Sequence, residues 1–196
     1  MKITGFAILL VLAFSSPVMS QTISGYADGE ATVNSHDDAP PKTKPIEYPG
    51  TPIDGWQATL RLLTNSFQVA SNIEAEIIIK NVSTKELKLS AAWPLLANGF
   101  NVQVLDKNKV EIPLTSLGKT QKSSGDASPN ISRSLPPGNE MVFSLELRKL
   151  YQLESPGAYS IQATKVFPSP DGAKKVQVAT GVAQITIQSG TDAKKN

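Results

Sequence analysis

From Trp56 onward the chain alternates apolar and polar residues with a period of two, the signature of strands with one buried face. The segment WQATLRLL sets Trp56, Ala58, Leu60 and Leu62 against Gln57, Thr59 and Arg61. In IEAEIIIKN, Ile73, Ala75, Ile77 and Ile79 share a face opposite Glu74, Glu76 and Lys80. The pattern recurs at Leu87 and Leu89, at Phe100, Val102 and Val104, at Met141, Phe143, Leu145 and Leu147, and at Tyr159, Ile161 and Ala163. It closes with Val176 and Val178, then Ala183, Ile185 and Ile187. The parity flips around Gly181, where a bulge restores the inward face.

Turn signals separate these runs: Asp106-Lys107-Asn108-Lys109, Pro136-Pro137-Gly138-Asn139, Ser155-Pro156-Gly157 and Pro168-Ser169-Pro170-Asp171-Gly172. Only Leu147 to Leu153 suits a short helical turn. The expected fold is all-β, an immunoglobulin-like antiparallel β-sandwich of seven to eight strands over 55–188. One core should contain Leu60, Ile77, Val102, Phe143, Leu145, Tyr159 and Ile161. The longest stretch without strand pattern is Thr115 to Asn130, a polar loop.

The chain before Trp56 is of a different kind. Lys2, the apolar run Phe6 to Phe14 and Val18-Met19-Ser20 have the layout of a secretory signal peptide over 1–20, cleaved before Gln21. The apolar run is half the length of a membrane span. No membrane span is therefore expected after cleavage, and the mature protein is expected outside the cytoplasm, periplasmic or secreted. Residues 21–54 are acidic and carry Pro40, Pro41, Pro45, Pro49 and Pro52, which predicts a disordered leader. If any of it docks as a strand, Ile46 and Tyr48 are the residues to do so. Residues 189–196 read as a flexible tail.

Composition narrows the chemistry. The chain has no cysteine, so disulfides, thiolate metal sites and cysteine nucleophiles are excluded. The formal charge of +2 is too near neutral to steer nucleic acid. Its distribution is uneven: Asp28, Glu30, Asp37, Asp38, Glu47 and Asp54 outweigh Lys42 and Lys44 in the leader, whereas 55–188 is net basic. His36 is the single histidine and lies in the leader without a second soft ligand, so no metal site and no cofactor are expected. The acids of the sandwich fall on outward strand positions (Glu74, Glu76, Glu146) or in turns, so no catalytic residues are assigned. Asn81-Val82-Ser83 and Asn130-Ile131-Ser132 match the glycosylation sequon, a triplet that also arises by chance in polar turns.

Asn81-Val82-Ser83, Leu135-Pro136-Pro137-Gly138-Asn139 and Ser155-Pro156-Gly157-Ala158-Tyr159-Ser160-Ile161, taken in order, resemble a bacterial type of secreted immunoglobulin-like module. The succession is similar to that of the intracellular proteinase inhibitor family and of the pro-segments of deuterolysin-type proteases. The resemblance implies a fold and a protein-binding habit. The functional expectation is a non-catalytic exported module that binds another envelope or secreted protein, with a proteinase inhibitor acting through an exposed loop as the alternative. The candidate contacts are Lys119, Lys122 and Asp126 in the long loop, and Trp93, which precedes Pro94 between strands.

Overall fold

The computed structural model describes residues 44–91, 99–124 and 131–190. The signal segment 1–20, the leader to residue 43 and the tail from 191 lie outside the described residues. Within them the chain forms β1 (Ile46–Pro49), β2 (Trp56–Leu62), β3 (Ser66–Gln68), β4 (Glu74–Asn81), β5 (Leu87–Ala91) and β6 (Asn101–Asp106). Then follow α1 (Ser116–Ser123), β7 (Ile131–Leu135), β8 (Glu140–Glu146), α2 (Leu147–Leu150), β9 (Gly157–Pro168), β10 (Lys175–Ala179) and β11 (Ala183–Gln188).

One sheet is antiparallel in the order β1-β2-β4-β8, with Leu60 opposite Ile77 and Ile77 opposite Phe143. The other is built around the long β9. Ile161 is paired with Val104 of β6 on one edge and with Ala183 of β11 on the other. β10 shares the edge used by β11, and β3 extends the sheet beyond β11. A separate ribbon joins β5 to β7. The two larger sheets pack face to face. Trp56 of β2 stacks on Phe167 of β9 with centroids 4.6 Å apart, and Phe100 meets Phe143 at 5.1 Å. Leu60, Ile77, Val102, Phe143, Leu145, Tyr159 and Ile161 are all buried in this one core, as their parity requires. The chain is thus an all-β sandwich.

The bulge falls where the parity breaks. Between Ala179 and Ala183 the chain has three residues, while the facing stretch between Thr164 and Ile161 has two. The extra residue turns the buried set from Val176 and Val178 to Ala183, Ile185 and Ile187.

Four expectations need correction. The folded region begins before residue 55, because Ile46–Pro49 pair along β2 from Leu62 to Thr59. Ile46 and Tyr48 face the core side with Glu47 between them, and the prolines are tolerated because β1 is an edge strand. The strands number eleven among the described residues, since the short β1, β3 and β7 hold too few apolar residues to show an alternation of their own. Not every pairing is antiparallel: β3 runs parallel to β11. The segment from Thr115 is not a plain loop. Ser116–Ser123 are helical, with the Thr115 hydroxyl accepting from the Gly118 amide at 3.1 Å. The short turn expected from Leu147 is α2.

Candidate functional site

Alternation that buries Leu62, Ala75 and Leu145 turns their neighbours Arg61, Glu76 and Ser144 outward, and the register sets these three in one row across β2, β4 and β8. Arg61 ties the row together. Its guanidinium bonds Glu76 at 2.6 Å and lies 3.8 Å from Glu47 of β1. In the next row Glu74 stands directly opposite Glu146. Like charges so placed oppose each other.

At this end the outer face is concave. A hollow of about 320 Å³ is lined by Arg61, Leu63, Glu74, Glu76 and Glu146, and its floor is the strand backbone at Leu62, Ala75 and Leu145, whose side chains are buried in the core. Leu63 is 58% exposed. A second hollow of about 370 Å³ shares Leu63 and Glu74 and runs on to Phe67 and Asn72. A third, about 190 Å³, shares Ser144, Leu145 and Glu146 and reaches Leu117, Gln121 and Lys149. The three adjoin as one groove from β3 to α1.

Local chemistry holds its walls. Glu146 is the N-cap of α2: its carboxylate accepts from the Arg148 amide at 2.9 Å, the Lys149 amide at 3.2 Å and the Ile73 amide at 3.3 Å. The negative charge is therefore fixed in place at the groove. Helix α1 lies against α2 because residue 118 is glycine. A Cβ there would fall 2.3 Å from the Leu150 carbonyl oxygen. That contact presents Leu117, 47% exposed, at the groove.

Of the expected contacts, Lys119 and Lys122 stand exposed on α1, and neither lines the three hollows. Asp126 and Trp93 lie outside the described residues. The sequence reading missed Leu63, Glu74 and Glu146 as a group, because nothing short of the strand register brings them together. It also passed over Lys165, which shares the inward parity of Ile161, Ala163 and Phe167. Lys165 is buried in the core, its Nζ 4.7 Å from the Phe100 ring centroid and 5.8 Å from that of Phe167. Burial lowers its pKa to about 8.

Other polar groups have structural work. The Asn81 side chain is fully buried, donating to the carbonyls of Lys85 and Leu135 at 2.8 and 2.7 Å and accepting from the Ser83 amide and hydroxyl. In the fold this sequon is therefore a buried turn whose amide nitrogen holds two backbone carbonyls. The Tyr151 hydroxyl donates to the Val102 carbonyl, and burial raises its pKa. No group of three metal-ligating side chains occurs among the described residues, and no described helix is long and apolar enough to cross a membrane.

No family model and no curated protein matches the chain. Among solved structures, a structural-genomics target called SoR45 is 9% identical over 78% of this chain and 92% of its own, with a TM-score of 0.35. A conserved hypothetical protein from Bacillus anthracis is 15% identical, with coverage of 70% and 99% and a TM-score of 0.27. Neither likeness carries an argument about function.

Proposed function

We propose that the chain is a non-catalytic, exported β-sandwich module that binds another envelope or secreted protein through the groove around Leu63. The sandwich would be of the immunoglobulin-like type that the Leu135 to Asn139 and Ser155 to Ile161 segments suggest. Export rests on the signal-like pattern of 1–20. The binding reading rests on one observation: Leu63 and Leu117, large apolar side chains half-exposed, stand on hollows that adjoin. A single exposed leucine is ordinary on a protein surface; leucines lining one groove mark a contact surface. The inhibitor alternative gains nothing from 116–123, which are helical and not the extended loop that a protease cleft receives.

The test is site-specific photo-crosslinking in the native cell, with the reactive residue at position 117 or, on another face, at position 110. A defined adduct at 117, absent at 110 and lost when Leu63→Asp is added, supports the reading. Adducts at both positions alike, or none at 117, overturn it. The mass of the protein in the extracytoplasmic fraction checks export separately: a chain starting at Gln21 is expected, and a retained Met1 contradicts it.

A further inference from the structure

We infer that the occupant of the groove is an extended peptide segment carrying a lysine or arginine beside an apolar residue. This rests on the reading of the groove as a contact surface and specifies the chemistry of the partner.

Charge makes the first part of the case. The chain as a whole is +2, yet the central hollow is lined by Glu74, Glu76 and Glu146 with Arg61 as its one base. Arg61 is already engaged by Glu76 and Glu47. Neither Glu74 nor Glu146 has an ion-pair partner among the described residues. They face each other directly across β4 and β8, an arrangement that costs stability in the isolated fold. A cation entering between them relieves that cost. Glu146 cannot swing away, since three backbone amides hold its carboxylate. The incoming cation thus meets one fixed charge and one exposed, adjustable charge.

Apolar surface makes the second part. The exposed Leu63 gives the hollow an apolar wall beside its carboxylates, and the exposed Leu117 stands on the adjoining hollow. A small inorganic cation would leave this lining in water, whereas a side chain next to a lysine covers it. The extended form follows from β8, which ends its sheet among the described residues and exposes Val142 and Ser144 beside the groove. A sheet edge receives a peptide as an added strand.

The experiment uses the full mature chain and labelled extended peptides, identical except for Lys, Gln or Glu at the positions flanking a leucine. Binding is read by fluorescence anisotropy against wild type, Glu74→Lys, Leu63→Asp and the control Glu86→Lys, which lies past the opposite end of β4 from Glu74. Thermal melts show that each variant is folded, and Glu74→Gln serves in place of any that is not. The Lys peptide should bind tightest, lose roughly tenfold in affinity with Glu74→Lys or Leu63→Asp, and weaken as salt rises. The Glu86→Lys control should bind as wild type. Equal binding of the Lys and Glu peptides, each sensitive to Leu63→Asp but not to Glu74→Lys, overturns the cationic partner and leaves the groove as a contact surface. Binding that ignores both groove variants, or no binding by any peptide, overturns the contact surface as well.

Discussion

Along β1 the two sheets meet backbone to backbone, while a few residues away the same sheet ends in an open groove. At the seam the Tyr48 carbonyl accepts from the Gly181 amide at 2.9 Å, in the bulge between β10 and β11. The Trp56 indole donates to the Pro168 carbonyl at 2.9 Å, and Lys174 pairs with Asp54 at 2.9 Å. Glycine makes the approach possible, for a Cβ on Gly50 would lie 1.8 Å from the Ala179 carbonyl oxygen. At the groove, by contrast, Leu63 and Leu117 stay uncovered and Glu74 opposes Glu146. The far edge of the second sheet is covered too: β6 is met by the Val110 carbonyl and Ile112 amide and capped by the Tyr151 hydroxyl. Local devices thus close the β1 seam and the β6 edge, whereas the groove keeps its leucines and opposed carboxylates open, and that contrast is what points to a partner.

The largest expected effect breaks the seam from its core side. Trp56 is fully buried and stacked, so Trp56→Ala should lower unfolding free energy by roughly 3–5 kcal/mol in urea denaturation. Leu63→Ala at the groove should stay within about 0.5 kcal/mol of wild type. Comparable losses at the two positions would erase the contrast.

Lys165 offers a pH-dependent view of the closed region, since it is the cross-strand neighbour of Val178 on β10. Its folded-state pKa is lowered from 10.5 to about 8 by burial. Below about 8 the lysine is protonated in both states and its desolvation cost is fully present. Between about 8 and 10.5 the unfolded chain holds a proton that the folded chain has released, so stability gains as pH rises. Lys165→Met lacks this titration. The variant should therefore exceed wild type by up to about 3 kcal/mol below pH 8, with the gap narrowing toward pH 10.5. A gap that is flat or widens with pH contradicts the buried ammonium.

How much of this was legible differs between the two regions. The core was, because parity alone places Leu60, Ile77, Val102, Phe143 and Ile161 inward, and the flip at Gly181 marks the bulge. Strand β1 was hidden: two apolar residues among five prolines give no period, and its pairing depends on β2 and on the bulge more than a hundred residues away. Helix α1 has one apolar residue, Leu117, and forms through the Thr115 cap and the Gly118 contact with α2, neither of which a hydrophobic pattern reports. The groove itself depends on register, which brings positions 63, 74 and 146 together from three strands.

A gentler blow to the seam is Gly50→Ala, which forces a methyl against the Ala179 carbonyl and should cost about 1–3 kcal/mol as the backbones part. Gly190→Ala, where a Cβ meets nothing within 4 Å, should cost far less in the same urea titration. Similar losses would mean that β1 does not close the sandwich.

The smallest effect belongs to the groove and has the opposite sign. Glu74→Gln removes one of two facing carboxylates without altering the strand or the Glu146 cap of α2. Relief of like charges across a strand pair is worth a few tenths of a kcal/mol, so the variant should be slightly more stable than wild type at low salt. The gain should fade as ionic strength rises, because Glu74 is exposed. A small loss of stability would instead mean that Glu74 is paired within its own chain, and the groove would then have no charge to offer a cation. A gain that persists in high salt would assign the effect to packing or strand propensity. Only a gain that salt removes joins the opposed carboxylates to the cationic partner inferred above.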